Sequence, residues 1–170
     1  MRIVLEGPDC SGKTTLAMSL MELLPNHFYL HNSLDNGKYV WRNSCGEVVK
    51  YCDDIFYAHI DSLRLHKHVI VDRLWPSELI YGTTFRNKTE YVINDMRAHL
   101  NIYQPSYIGC LPPKQNVLKK FEERKNTEDF SEVEIVYDKY QSLFQENPEF
   151  LIYNYTQQTA EEFIREILID

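Results

Sequence analysis

The stretch from Gly7 to Thr14 reads GPDCSGKT and fits the pattern G-x-x-x-x-G-K-[ST], in which a glycine-rich turn wraps main-chain N–H groups around a polyphosphate. Gly7 and Gly12 let the backbone amides of Asp9, Cys10 and Ser11 turn inward, and the helix that follows directs the positive end of its dipole at the same anion. Lys13 is expected to bridge the β- and γ-phosphates of ATP. Thr14 would give its hydroxyl to Mg²⁺ and Thr15 would reach the α-phosphate. Cys10 stands at the same helix end, where a thiol can be acidified, although a small inert filler is the simpler reading.

A second constellation lies at His68 to Asp72, HVIVD, an apolar run that ends in an acid. Such a strand end places a carboxylate beside Mg²⁺ or one of its waters, so Asp72 is the metal candidate together with Thr14. Arg73 follows at once. Its alternatives are a grip on a phosphate or a structural ion pair with the neighbouring acid, and the upstream loop favours the first.

These residues need a scaffold that carries both loops to one edge. Short apolar runs alternate with longer helical patterns, as in βα units around a parallel sheet. Five strands are expected: Arg2 to Glu6, His27 to His31, His68 to Asp72, Ser106 to Leu111 and Phe150 to Asn154. Leu16, Leu20, Leu23 and Leu24 recur at helical spacing before Pro25, which predicts a helix from Lys13 to Leu24. Further helices are expected over Asp54 to His66 and Lys88 to Tyr103. Two more begin at the capping patterns Ser131 with Glu134 and Thr159 with Glu162. The fold class is therefore α/β, a P-loop NTPase-type three-layer fold with a five-stranded parallel sheet and helices on both faces. One domain should span 1–170, with a loop or hairpin insertion at 32–53 and a lid region at about 112–131.

Bulk properties narrow the function. The chain has 170 residues, enough for a core that hides about 70% of the unfolded surface. Its net charge of −7 and the lack of a dense basic stripe argue against a nucleic-acid polymer as partner. A few aimed donors can still hold a small nucleotide. Cys10, Cys45, Cys52 and Cys110 form no metal-binding spacing and read as reduced thiols. No apolar run is long enough for a membrane span, and the opening apolar segment is too short for a secretion signal, so a cytoplasmic protein is expected.

Several of these residues together resemble the thymidylate kinases among the nucleoside monophosphate kinases. The resemblance rests on LEGPDCSGKTTLA at Leu5 to Ala17, FYA at Phe56 to Ala58, VDRLWPSELIYGTTFR at Val71 to Arg86, and the spacing of Val136 and Tyr140 after a charged segment. It implies transfer of the ATP γ-phosphoryl group, with Mg²⁺, to a deoxynucleoside monophosphate, dTMP first. Position by position, it implies that Asp9 approaches the sugar 3′-hydroxyl and the metal, Arg73 grips the acceptor phosphate, Phe56 stacks on the base and Tyr81 lines the deoxyribose. Ser77, Arg86 and Tyr140 complete the acceptor site by the same resemblance. Lys120, Arg124 and Lys125 fall where the family has a lid, Arg124 being the catalytic candidate, and a homodimer is implied.

The departures bear on the base. Ile60 stands where many of these kinases place a base-reading arginine, Gly82 replaces a common glutamine, and the usual Arg-Glu-Pro phosphate contact is missing, with Lys38 and Arg42 as substitutes. His59, Asp61 and Glu78 lie near the expected base site and read as exposed polar residues. Two other functions fit the same motifs. One is a kinase acting on a hydroxyl of a nucleoside or modified base, with Asp9 or Asp72 as general base. The other is a P-loop switch module, for which no guanine-reading Asn-Lys-x-Asp motif is present.

Overall fold

Along β1 (Arg2–Glu6) the side chains alternate between two cores: Ile3 and Leu5 enter one, Val4 the other. The computed structural model describes residues 1–35, 37–124 and 130–169. In it β1 lies between β5 (Val69–Asp72) and β6 (Ser106–Cys110), parallel to both. Outward from these lie β2 (Phe28–Asp35) beside β5 and β7 (Phe150–Tyr153) beside β6, again parallel. A strand buried on both faces reads as a continuous apolar run, which is why VIVD and RIVLE were legible as strands.

The described residues form seven strands rather than five, in the order β4-β3-β2-β5-β1-β6-β7. All five expected strands are present, and the excess comes from the 32–53 insertion. There β2 continues to Asp35, turns through Gly37 (φ 78°), and pairs antiparallel with β3 (Lys38–Arg42), which pairs antiparallel with β4 (Val48–Cys52). The sheet is therefore mixed. Val40 and Trp41 are adjacent and both buried, one on each side of β3, so the strand is covered on both faces and shows no helical periodicity. Lys50 on the outer strand β4 blunts the exposed edge.

Helices cover both faces. Leu16 and Leu20 of α1 (Lys13–Leu23) and Phe163 and Ile164 of α8 (Ala160–Ile169) pack on the Ile3 and Leu5 side. On the Val4 side lie α2 (Ile55–Arg64), α5 (Glu90–Asn101) and α7 (Phe130–Glu146), around the fully buried Trp75 and Tyr140. Fully burying a large apolar side chain contributes roughly 1.5–3 kcal/mol each, so these two layers hold the strands' ends in place. The Thr159 cap forms as expected: the Glu162 amide donates to Thr159 Oγ1 at 3.2 Å and the Thr159 amide to Glu162 Oε2 at 2.8 Å. Ser131 falls inside α7, which already includes Phe130.

After β5 the chain forms one unforeseen element. Short helical turns α3 (Trp75–Ser77) and α4 (Thr83–Phe85) flank a π-helical turn at Glu78–Gly82. The wider π turn rotates Glu78 and Tyr81 to the same side as Ser77, toward the ends of the strands. A further helix, α6 (Lys114–Glu123), precedes Arg124 in the expected lid region. No helix among the described residues is long and apolar enough to cross a membrane.

Candidate active site

The first loop needs its glycines for identifiable steric reasons. Gly7 has φ 145°, and a Cβ there would stand 2.3 Å from the Cys110 carbonyl oxygen, a backbone atom that cannot yield. Gly12 has φ 95° and precedes α1 directly, with the Tyr155 ring 3.0 Å from where a Cβ would be. Lys13 is buried, and its Nζ donates to the carbonyls of Gly7 at 2.9 Å and Pro8 at 2.8 Å. Burial, with Arg73 nearby, lowers its pKa from the ordinary lysine value. The buried Ser11 hydroxyl has no hydrogen-bond partner among the described residues, and Thr14 and Thr15 open α1 at the surface.

Asp72 ends β5 beside this loop. Tyr29 donates to its Oδ2 at 3.1 Å, and His31 Nδ1 lies 3.4 Å from the same oxygen. Burial alone would raise the carboxyl pKa, but the His31 hydrogen bond and the charges of Lys13, His31 and Arg73 outweigh it and hold it at about 2. Asp72 Oδ1 is buried with no partner among the described residues. Thr14 lies close to the same Tyr29 hydroxyl. An orphaned carboxylate oxygen near a threonine hydroxyl fits Mg²⁺, which takes few protein oxygens and completes its shell with phosphate and water.

Arg73 sits where β5 turns away, at φ 77°, a left-handed conformation that costs a non-glycine residue about 1–2 kcal/mol. What compensates is a dense set of partners. Its guanidinium pairs with Asp9, donates to Ser77 Oγ at 3.1 Å and lies over the Tyr81 ring at 5.1 Å, while Asn32 donates to its carbonyl at 2.7 Å. The Arg73 charge, first among several influences, holds Asp9 below the usual carboxylate range. Beneath Arg73, Glu6 is wholly buried and accepts from the Leu74 amide, from Ser77 at 2.7 Å and from Tyr140 at 3.0 Å. Burial raises the Glu6 pKa. Asp9, Arg73, Ser77, Tyr81 and Tyr140, separated widely in sequence, thus converge.

Glu6, Tyr29, His31 and Asn32 were not singled out from the sequence. The available sign was Glu6 itself, an acid completing an apolar strand, which is seldom buried without a partner.

Helices α6 and α7 pack on the loop. Cys10 packs with Val117 and Phe121 of α6 and Val133 and Tyr137 of α7. Burial pushes its thiol pKa up, so it is the inert filler. Lys120 is no free surface cation: its Nζ stands 3.7 Å from the centre of the Tyr155 ring, which itself meets Gly12. Arg124 ends α6 near enough to act on Cys10. Lys125 lies outside the described residues.

From Arg73 a cleft of about 300 Å³ runs outward beneath β2 and the π turn. Its lining includes Asp9, His31 and Arg73 together with Leu34, Tyr39, His59, Glu78 and Arg86. A smaller recess of about 200 Å³ under α7 shares Asp9, Tyr81 and Arg86 with it. Phe56 is not among the residues lining either space: its ring packs edge-on to His99 at 5.2 Å, where α2 meets α5, and His59 one turn later faces the cleft instead. Contrary to the reading as exposed polar residues, His59 is 2%, Asp61 9% and Glu78 5% exposed. Asp61 is occupied by Lys50 and Arg64, outside the cleft. Lys38 and Arg42 are likewise engaged within the hairpin, with Asp53 and Asp35.

No protein-family model matches the sequence. The SPbeta prophage-derived protein YorR of Bacillus subtilis is 31% identical over 86 residues, 50% of this chain and 44% of that protein, so the match spans less than half the relative's length. As a structure, YorR in complex with phosphorylated GDP superposes over 99% of this chain and 94% of its own, with TM-score 0.73 and 18% identity. Thymidylate kinase from Ehrlichia chaffeensis covers 99% and 96% (TM-score 0.54, 16% identity). Deoxyadenosine kinase from M. mycoides with bound dCTP covers 99% and 97% (TM-score 0.57, 12% identity). The chain has the fold shared by these kinases.

Proposed function

We propose that this chain, built on the fold of P-loop nucleotide kinases, moves the γ-phosphoryl group of ATP to the 5′-phosphate of a deoxynucleoside monophosphate. The observation that carries the reading is the placement of Arg73: it lies between the phosphate-binding loop and the mouth of a cleft long enough for a second nucleotide. Along β2 the lining runs from His31 to Leu34, about 10 Å at the rise of a strand.

In this reading the loop amides and Lys13 hold the donor phosphates, and Arg73 holds the acceptor phosphate in line with them. A phosphate acceptor is already anionic near neutral pH, so alignment and charge neutralisation suffice without a general base. Thr14 and Asp72 would hold Mg²⁺, which when bound neutralises the developing charge on the phosphates. Arg124 at the end of α6 would add charge over the transferring group, and Tyr81 would pack on the deoxyribose and exclude a 2′-hydroxyl. Asp9, held ionised by Arg73, would accept from the sugar 3′-hydroxyl.

The resemblance to thymidylate kinases nominates dTMP. The likeness to YorR, crystallised with phosphorylated GDP, nominates a guanine nucleotide beside it. A hydroxyl acceptor is less well served, because it requires a carboxylate base, and Asp9 and Asp72 are both held below the usual carboxylate range and are weak bases. A coupled assay with Mg·ATP and thymidine, deoxyadenosine, dTMP, dGMP, dAMP and dCMP as acceptors, read by product mass, tests the assignment. Diphosphate products support it, and phosphorylation of the nucleosides alone overturns it.

A further inference from the structure

The part of the cleft around Glu78 is built from charges and an orphaned polar atom. Glu78 is buried there, accepting from Arg86 at 3.0 Å through Oε1 and from Lys88 at 3.0 Å through Oε2. The Lys88 ammonium is shared between Glu78 and the Tyr39 hydroxyl. Arg86 differs. Glu78 fixes one of its terminal nitrogens, and Arg86, its side chain about a third exposed, borders both the cleft and the recess under α7. A guanidinium has five N–H donors and no acceptor.

His59 faces the same space from α2. It is 2% exposed, and its Nδ1 has no hydrogen-bond partner among the described residues. Burial, reinforced by Lys88, keeps the ring neutral, with a pKa lowered to about 3. A neutral imidazole has one lone pair to accept with. An unpaired buried polar atom is costly, so a ligand that satisfies it gains differentially.

We propose that this part of the cleft selects nucleobases whose pairing edge carries a carbonyl beside a ring N–H, namely guanine, thymine and uracil, over adenine and cytosine. Arg86, anchored by Glu78, donates to the carbonyl, and the neutral His59 ring, which lines the same cleft, accepts from the ring N–H through its unprotonated nitrogen. Adenine and cytosine present an exocyclic amine where the carbonyl would be. That amine turns N–H toward a guanidinium that cannot accept, and the ring nitrogen beside it offers a lone pair to the lone pair of His59. Both contacts are then lost together. The chain continuity is favourable: Ser77 contacts Arg73 and the next residue, Glu78, holds Arg86, so consecutive residues of one turn position both arginines.

This inference rests on the acceptor being a nucleoside monophosphate, and the experiment separates the two. The full chain is titrated calorimetrically with dGMP, dTMP, dUMP, dAMP and dCMP, and the same five are offered as substrates with Mg·ATP. The carbonyl-bearing three are expected to bind about tenfold or more tightly than the other two, the discrimination of one good base-edge contact pair. Preference for dGMP within the three marks a purine site, and preference for dTMP and dUMP a pyrimidine site, both in support. Arg86→Gln places an amide that can donate or accept, so dAMP and dCMP should approach the others to within a few-fold. Equal binding of all five, or tighter binding of the amino bases, overturns the inference while leaving the kinase assignment standing if they are phosphorylated. Binding of none of the five overturns both. The wild-type series decides without the variant should Arg86→Gln not fold.

Discussion

Tyr140 reaches across the molecule to donate to Glu6 at 3.0 Å, joining α7 to the end of the central strand beneath Arg73. The same hydroxyl lies 2.8 Å from Ser77 Oγ, so Glu6, Ser77 and Tyr140 form a closed buried triangle. Burial without these donors would make Glu6 intolerable as an anion; with them it becomes the floor on which the arginine rests.

Tyr140→Phe removes the hydroxyl and leaves Glu6 one donor short. A loss of about 1–2 kcal/mol in urea unfolding is expected, together with a severalfold rise in KM for the acceptor. A variant as stable as the parent would mean that a water replaces the hydroxyl and that the triangle contributes little.

Arg73→Ala should raise KM for the acceptor far more than KM for ATP, because Arg73 faces the acceptor phosphate in the proposed reaction. Its backbone allows a second comparison. At φ 77° glycine is unstrained and alanine is not, so Arg73→Gly should be about 1 kcal/mol more stable than Arg73→Ala. Thermal or chemical unfolding of the pair tests the backbone claim independently of activity.

Lys13→Ala is expected to lower turnover by orders of magnitude with the far-ultraviolet circular dichroism unchanged, since only the charge on the donor phosphates is lost. Activity within tenfold of the parent would exclude Lys13 from the transfer step.

His59 gives the stability a definite pH slope. Its pKa in the folded state, about 3, lies below the ordinary 6.5, so between these values the unfolded chain binds the extra proton. Stability attributable to this residue is intact above pH 6.5 and falls as the pH drops toward 3, at up to about 1.4 kcal/mol per unit. His59→Gln should flatten that part of the profile. A parent and variant with parallel curves from pH 7 to 4 would show that His59 is not held neutral in the fold.

Local pattern was enough for the donor half of the site. GPDCSGKT, the run HVIVD and the arginine after it carry their structure in consecutive residues, and the parallel strands are legible because a strand covered on both faces is apolar throughout. Ser77, Tyr81 and Tyr140 were nominated by the resemblance to thymidylate kinases, and the structure brings them to Arg73. The hairpin strands were harder to read, because Tyr39 to Arg42 alternate over too few residues to separate a strand from a loop until β2 is there to pair with.

The acceptor half was decided by packing between distant segments. The family resemblance implied Phe56 for the base, whereas the contact of α2 with α5 takes Phe56 to His99 and His59 lines the cleft. Residues such as Glu6, His59 and Glu78 look like surface groups in a linear reading, and only the elements folded over them make them buried, paired or orphaned. Periodicity records which face of an element is apolar. It does not record which other element covers that face, and the free energy of a charge depends on that cover.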